Sequence, residues 1–256
     1  IHQIRQMSGA HASRILAFNV DAGALHKCDA VTGTNKSDQR RWSKVWFGFP
    51  HVGAGHKDEH RNVLANQLLI LRFLISVAPY LTEGPLPEAI QGRKRRAASE
   101  DDEDDEEYIE SANDIPDVSA TSLPPRRQGS VLITIRNVVP YTLWNIPMLG
   151  KRLRDVLQPI AASAPSPPKG MRAPTVSDVD KNGAQYVLWR SFEFVPSDWP
   201  GYSHRRTVGF VEGLSTSHNE DLLRRPTQPP QQGQPSGRHV GTGECRTYEL
   251  ALRPVH

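Results

Sequence analysis

A short stretch, Trp46-Phe-Gly-Phe-Pro-His-Val-Gly53, holds the residue types best suited to chemistry in this chain. The apolar run leading into it ends at Pro50, which has no N–H to give to a strand ladder and so stops the strand. Gly53 and Gly55 then free the backbone to turn. Side chains at such a tip point into a crevice. His51 titrates near neutrality and could orient a ligand or move a proton there, or it could simply hold the turn through a hydrogen bond.

The elements that must position this turn alternate between strands and helices. Apolar runs predict strands at residues 14–20, 43–49, 130–136, 186–194 and 247–252. A mostly apolar stretch at 58–81, with Asp58 and Glu59 at its start, predicts a largely buried helix. Strands separated by helices favour a mostly parallel sheet with right-handed crossovers, so the predicted fold class is α/β. In such sheets ligands bind at the carboxyl ends of the strands, and this rule points to Asp21 and to residues 49–51.

Asp21 comes directly after the first predicted strand. A carboxylate in that place could accept hydrogen bonds from a polar edge of a ligand. The alternative is an aspartate that caps a helix or a turn. Both interpretations follow from the same position, and the sequence leaves them open.

Candidate metal sites are weak throughout the sequence. His56 and His60 are four residues apart, but the zinc-protease motif needs Glu directly after the first His, and Lys57 stands there. Cys28 and Cys245 are the only cysteines, and they form neither a disulfide framework nor a four-ligand zinc site. We therefore expect no metal.

Composition predicts a folded domain interrupted by loops. Hydrophobic residues make up 37% of 256 residues, there are 21 prolines, and the mean hydropathy is −0.53. No apolar run approaches the ~20 residues of a membrane span, so we expect no membrane partner. The domain is predicted in two parts, residues 1–84 and 129–256, around an insert at 85–128, with loops near 161–183 and 215–243. The five tryptophans are expected to pack in the core or at its rim.

The insert at 85–128 separates opposite charges. A basic cluster at 92–96 is followed by an unbroken acidic run at 100–107, and apolar periodicity is lacking, which is typical of a disordered segment. The functional interpretation is a nuclear import signal beside an acidic tract that offers Ser99 to a kinase. The alternative is a solvated, self-neutralising loop.

Several blocks of the chain, in order, resemble one known family. The turn is similar to the Asn-Phe-Pro-His-Val-Gly signature of the eukaryotic 25S-type ribosomal RNA (uridine-N3)-methyltransferases. Other similar blocks are residues 19–27, Arg61 with Asn66-Gln67-Leu68-Leu69, residues 129–136 with Pro140-Tyr141 and Trp144, residues 194–207, and residues 245–249.

This resemblance implies a Rossmann-like class I fold that uses S-adenosylmethionine to methylate N3 of a uridine in large-subunit ribosomal RNA. It also implies that the last two predicted strands pair as the antiparallel hairpin that ends many methyltransferase sheets. The implied partners are ribosomal RNA or pre-ribosomal particles, and the implied location is the nucleus, in the nucleolus. The implied site residues are Phe49, Pro50 and His51 for catalysis, Asp21, Gly48 and Phe49 for the cofactor, and Tyr202, His204, Arg205 and Arg206 for RNA.

Two departures from the family pattern set further expectations. The family's glycine-rich cofactor loop, Gly-Glu-Gly-Asp-Phe-Ser-Phe, has no match here, and residues 1–9 resemble the tail of a helix, so we expect an N-terminally incomplete fold that binds the cofactor poorly. Gly48 stands where the signature has Asn. An inactive RNA-binding or ribosome-assembly protein is therefore the alternative function, and a methyltransferase acting on another RNA or a small molecule is a third.

Overall fold

The computed structural model describes residues 17–34, 40–53, 58–86, 127–166, 171–199, 202 and 245–254. Its strands are β1 Lys44–Gly48, β2 Ser130–Arg136, β3 Tyr186–Glu193 and β4 Cys245–Leu252. Its helices are α1 Asp29–Thr32, α2 Glu59–Val77, α3 Ile146–Lys151, α4 Leu153–Ser163 and α5 Val176–Asn182. Short 3₁₀ segments lie at Ala22–Lys27, Ala78–Tyr80, Tyr141–Trp144 and Pro196–Asp198.

The four strands form one mixed sheet in the order β1-β2-β4-β3. Only β1 and β2 pair in parallel, while β4 lies antiparallel to both β2 and β3. The α/β prediction and the antiparallel closing pair are confirmed. A mostly parallel sheet was the wrong expectation for the described strands, because β4 lies between β2 and β3 and runs opposite to both.

Four of the five predicted strands form close to their predicted bounds, and β2 matches exactly the predicted 130–136. The strand predicted at 14–20 is wrong where the structure describes it, since residues 17–20 are not in a strand. Asn19 has a φ of 56°, which turns the chain out of the extended region, and the side chain of Phe18 is 67% exposed.

The core lies between one face of the sheet and the helices. Val131, Ile133 and Ile135 of β2 are buried on that face, and Phe47 of β1 meets Phe73 of α2 with ring centroids 4.6 Å apart. Because side chains alternate along a strand, residues 44, 46 and 48 of β1 lie on the opposite face.

Helix α2 is the long buried helix that the sequence predicts. Asp58 caps it by accepting a hydrogen bond from His60 N over 2.9 Å, and Pro79 lies in the 3₁₀ turn that follows it. Together the helix and this turn span Glu59–Tyr80, 22 residues that are long and apolar enough to cross a membrane, which corrects the expectation that no apolar run approaches that length. Because 72% of the most apolar window is buried inside the fold, the helix has the burial of a core helix in a globular domain.

The loop predicted at 161–183 is corrected in two places. Helix α4 continues to Ser163, and α5 occupies Val176–Asn182. A reciprocal capping box between Thr175 and Asp178 begins α5, and Gly183 at a φ of 60° ends it. These local signals, with the burial of Val179, stabilise a helix in a segment whose composition suggests a loop. The predicted loop at 215–243 and residues 87–126 of the insert lie outside the described residues.

Candidate active site at the end of the first strand

The predicted turn begins where β1 ends, at Gly48. Phe49 still donates its N–H to the carbonyl oxygen of Thr134 on β2 over 2.8 Å, which anchors the turn to the sheet. Its φ of 51° is left-handed, a conformation that costs a residue with a side chain of the order of 1–3 kcal/mol and that clusters at functional sites. Pro50 follows and is buried. The strand therefore stops at a fixed, strained corner.

His51 is exposed at the tip, and one of its ring nitrogens is occupied. Its Nδ1 accepts a hydrogen bond from the backbone N–H of Gly53 over 2.8 Å. Partial burial lowers the pKa of His51 below its usual 6.5, so the ring is neutral at pH 7. A neutral ring that accepts at Nδ1 carries its proton on Nε2. His51 is thus fixed as a hydrogen-bond donor toward whatever lies at the tip.

Asn66 of α2 ties the turn to the core. Its side chain is fully buried, and its Oδ1 accepts a hydrogen bond from Val52 N over 2.9 Å. Its Nδ2 donates to the carbonyl oxygen of Asn62 over 2.9 Å and to Asn62 Oδ1 over 2.7 Å. Asn66 lies in one of the sequence blocks that resemble the family, and that resemblance implies no role for it. The signal that could have identified it is a buried-type position filled by an amide in an apolar helix.

The segment after β2 closes the other side of the turn. The ring of Trp144 lies 6.3 Å from that of His51 and 5.1 Å from that of Tyr141, centroid to centroid. The guanidinium of Arg136, at the end of β2, lies 5.9 Å from the Tyr141 ring. Trp144 is buried, and within the described part of the chain its Nε1 has no hydrogen-bond partner. The carboxyl ends of the two parallel strands therefore meet in one place, as the sheet rule predicts.

An aromatic cluster lies beside the turn and consists of Trp46, Phe49, Phe194, Trp199 and Tyr202. Phe194 is buried at its centre, 5.7 Å from Trp46, 5.9 Å from Phe49, 5.9 Å from Trp199 and 5.4 Å from Tyr202, measured between ring centroids. Burial, and then the nearby Cys245, raise the pKa of Tyr202 to about 12, so its hydroxyl stays protonated. Of the four residues predicted to contact RNA, Tyr202 joins this cluster, while His204, Arg205 and Arg206 lie outside the described residues.

Asp21 occupies a different place. It caps the 3₁₀ turn Ala22–Lys27 by accepting a hydrogen bond from Gly23 N over 2.8 Å, and it pairs with Arg72 of α2 over 3.1 Å. Arg72 lies six residues beyond Asn66, about 9 Å further along the helix axis. The structure thus has the capping arrangement for Asp21 and does not bring it into contact with the turn.

A groove of about 640 Å³ opens beside Asp21, lined also by Lys27, Arg72, Arg172 and Asp178. Among the described residues, no group of three or more His, Cys, Asp or Glu side chains is arranged to hold a metal ion.

A family model described as BMT5-like, rRNA (uridine-N3-)-methyltransferase, matches residues 3–206. The chain belongs to this family. The 25S rRNA (uridine(2634)-N(3))-methyltransferase of Saccharomyces cerevisiae is 26% identical over 202 residues, covering 74% of this chain and 47% of that protein. The chain therefore spans about half the length of this relative. No solved structure matches this chain.

Membership of the BMT5-like family confirms the resemblance drawn from the sequence blocks. The matched residues include the turn, the buried Asn66 and the aromatic cluster as far as Tyr202. The family description names a methyl transfer, which requires a methyl donor. At the carboxyl end of β1, Gly48 is exposed and Phe49 is half-buried. The carboxylate of Asp21 is paired with Arg72.

Proposed function

We propose that this protein transfers a methyl group from S-adenosylmethionine to N3 of a uridine in large-subunit ribosomal RNA. The observation that carries the proposal is the match of the BMT5-like family over residues 3–206, which includes the turn that holds His51. Ribosomal RNA, free or within pre-ribosomal particles, is the proposed partner.

The sheet supports a Rossmann-like class I fold for this activity. The parallel β1–β2 pair is connected through α2, and the closing β3–β4 pair is antiparallel, as the family resemblance implies. S-adenosylmethionine, when bound, supplies a methyl group on an already activated sulfonium. Gly48 and Phe49 are the proposed contacts at the end of β1. A role for Asp21 in cofactor binding would require its carboxylate to leave Arg72.

His51 is proposed to orient the base and to stabilise charge on it. Uridine N3 lies between two carbonyl groups, and loss of the N3 proton to solvent places negative charge on their oxygens. The Nε2–H of His51 is the donor for one of these oxygens, because Nδ1 is occupied by Gly53. This arrangement favours orientation of the uracil ring over direct removal of the N3 proton by His51, since a base needs a free lone pair. Asn66 maintains the geometry through Val52.

The test is a methyl-transfer assay with labelled S-adenosylmethionine and a ribosomal RNA fragment, followed by mass spectrometry of the nucleosides. The protein assayed carries the family's first strand and glycine-rich loop ahead of residue 1, and we expect N3-methyluridine from it and little or none from residues 1–256 alone. Loss of a single charge-stabilising donor in His51→Ala is expected to slow transfer by about 10²–10³-fold. His60→Ala is the matched control, because His60 is an exposed histidine in the first turn of α2. Absence of N3-methyluridine, with the RNA still bound, would remove the proposal.

The same assay separates the second candidate, an inactive RNA-binding or ribosome-assembly protein. Gly48 favours this candidate, because it stands where the family signature has an amide. Isothermal titration with S-adenosylmethionine and with RNA distinguishes the two. RNA binding without cofactor binding by the protein that carries the glycine-rich loop would support the assembly role, and tight binding of both would support the enzyme.

We propose nuclear, nucleolar accumulation directed by the basic cluster at residues 93–96. The motivation is four consecutive cationic residues, Arg93, Lys94, Arg95 and Arg96, next to an acidic run. A fluorescent reporter carrying residues 86–110 is imaged with the cluster intact and with all four residues changed to alanine. We expect the alanine version to leave the nucleus, and equal nuclear signal from both would contradict the proposal.

A further inference from the structure

Two large aromatic side chains beside the candidate active site are about half exposed to solvent. Trp46 is 45% exposed and Trp199 is 50% exposed. Their rings stack on each other, with centroids 6.0 Å apart and an angle of 21° between planes. A single exposed apolar residue is ordinary, but two stacked indoles form a contiguous apolar face of the kind that marks an interaction site. The sequence-based expectation that all five tryptophans pack in the core or at its rim does not explain this pair.

The pair is rigid before anything binds. Phe194, which is 4% exposed, supports both rings from below, and Tyr202 lies 6.1 Å from Trp46. The Nε1–H of Trp46 donates to Thr134 Oγ1 over 2.8 Å, and this hydroxyl shares a second 2.8 Å hydrogen bond with Thr247. Because the indole N–H is satisfied internally, Trp46 offers its partner a flat π surface rather than a polar handle.

Gly48 makes room for the Trp46 ring. A Cβ built on Gly48 would lie 3.2 Å from Trp46 Cζ2 and 3.3 Å from Cε2, which is tighter than ordinary contact. Both residues lie on the same face of β1, since they are two positions apart on a strand. Gly48 departs from the family signature, and the structure gives a reason for a glycine there. A larger residue would push against the exposed ring of Trp46.

The cation at this end of β2 is Arg136, whose guanidinium lies 5.9 Å from the ring of Tyr141, beside Trp144. Arg136 follows Thr134 by two positions on β2 and so lies on the same face of the sheet. Its partner in the β2–β4 register is Cys245, which packs against Phe194. Flat, exposed aromatic rings are the feature on which unpaired bases stack in proteins that bind single-stranded RNA, and a guanidinium close to the turn could meet a phosphate of the same strand.

We propose that Trp46 and Trp199 form a stacking surface for an unpaired base next to the target uridine in the RNA substrate. The proposal rests on the proposed function for the identity of the RNA. Phe194 links the surface to the turn, because it contacts Phe49 as well as Trp46. An enzyme that modifies N3 must expose a base that is normally paired, and a neighbouring base that is also unstacked requires a surface of its own. The stacked pair supplies that surface without reading the base sequence.

The test compares Trp46→Leu and Trp199→Leu with Trp42→Leu. Trp42 is the matched control because it is a partly exposed tryptophan, 37%, located four residues before Trp46 at the other end of β1. The probe is a single-stranded RNA oligonucleotide spanning a target uridine, with affinity measured by fluorescence anisotropy and folding by circular dichroism. We expect a roughly 5- to 150-fold loss of affinity in each of the first two variants, and a change of less than about twofold in Trp42→Leu.

A second measurement covers the case in which a leucine variant fails to fold. Trp199→Tyr keeps an aromatic face, and we expect it to retain most of the affinity. In the wild-type protein, 5-iodouridine placed beside the target should crosslink to Trp46 or Trp199. Crosslinks confined to other residues, or unchanged affinity in both folded leucine variants, would overturn the proposal even if the protein methylates RNA. A change of oligomeric state in Trp199→Leu with RNA affinity intact would also overturn it, because the surface would then contact protein. Tryptophan-dependent RNA binding without any N3-methyluridine would refute the enzyme and leave the stacking surface in place.

Discussion

Trp46 and Thr134 lie 88 residues apart in the chain and are joined by a 2.8 Å hydrogen bond from the indole Nε1–H to the threonine hydroxyl. This bond crosses from β1 to β2 on the sheet face opposite α2. It fixes the Trp46 ring within the aromatic cluster. A second hydrogen bond, between the hydroxyls of Thr134 and Thr247, extends this connection to β4. The cluster is thus held by three strands rather than by its own rings alone.

Removing the hydroxyl of Thr134 should destabilise the protein. Thr134→Val keeps the shape but leaves Trp46 Nε1 without its acceptor and the buried Thr247 hydroxyl without this partner, so we expect a loss of about 1–3 kcal/mol in the free energy of unfolding. Thr134→Val with Thr247→Val should cost less than the sum of the single changes, because both partners of the buried pair are then apolar. Urea denaturation measures both. Thr142→Val, at an exposed position, is the control and should stay within about 0.5 kcal/mol.

The second prediction concerns Glu249, a buried carboxylate on the same face of the sheet. Glu249 is fully buried, and its two oxygens meet Ser130 Oγ at 2.6 Å, Lys44 Nζ at 3.0 Å and Arg190 Nε at 2.8 Å. Changing both cations to methionine leaves a buried charge without a counter-ion. We expect a loss of about 3–5 kcal/mol in the double variant and a smaller loss in each single one, measured by chemical denaturation.

The control for this prediction is Arg154→Met. Arg154 pairs with Asp180 at an exposed site, where an ion pair contributes only about 0–1 kcal/mol. A double variant at positions 44 and 190 that is as stable as this control would show that Glu249 does not need its cations.

The pKa of His51 should lie below that of an ordinary histidine. Because partial burial lowers its pKa below 6.5, the unfolded chain binds more protons than the folded protein in the interval between the two values. The contribution of His51 to stability is therefore complete above pH 6.5 and is lost as the pH falls through the folded-state pKa. Protonation also places a hydrogen on Nδ1, which breaks the contact with Gly53.

An NMR titration of the imidazole protons, assigned with His51→Asn, measures this value. We expect an apparent pKa below 6.5, with the amide resonance of Gly53 shifting over the same pH interval. A pKa above 6.5, or a Gly53 amide that does not respond, would contradict the tautomer assigned to His51.

The insert should be removable because its two ends already meet. Gln128 N donates to the carbonyl oxygen of Pro85 over 3.1 Å, and Gly84 N donates to Gln128 Oε1 over 2.8 Å. Nearby, Gly129 N donates to the carbonyl oxygen of Thr82 over 2.8 Å. Replacing residues 87–126 with a short Gly-Ser linker closes a smaller loop at a lower entropic cost. We expect stability equal to the wild type, or higher by up to about 2 kcal/mol.

Limited proteolysis of the unmodified protein checks the same domain map. Cleavage is expected within residues 85–128, which the sequence predicts to be mobile, and α2 is expected to resist. Cleavage inside α2 while the insert stays intact would show that the division into two domain parts around an insert is wrong.

Local signals in the sequence were sufficient for part of this structure. Strand β2 could be bounded from its apolar run, α2 from its acidic start and apolar faces, and the end of β1 from Pro50, because each depends on the backbone preferences of neighbouring residues. The family could likewise be identified from ordered blocks that require no contacts. Helix α5 was missed, since its capping box was outweighed by a loop-like composition.

The arrangement of side chains was decided by the tertiary structure. The sequence left two interpretations of Asp21 open. Its pairing with Arg72, 51 residues away in the chain, is visible only in the tertiary structure. Tryptophan spacing along the chain does not reveal that Trp46 and Trp199 stack, because Trp46 is on β1 and Trp199 follows β3, which are the two edge strands of the described sheet. What the sequence determined was the turn and the elements around it. Which residues meet there depended on sheet order and register, which join segments far apart in the chain and leave no local pattern.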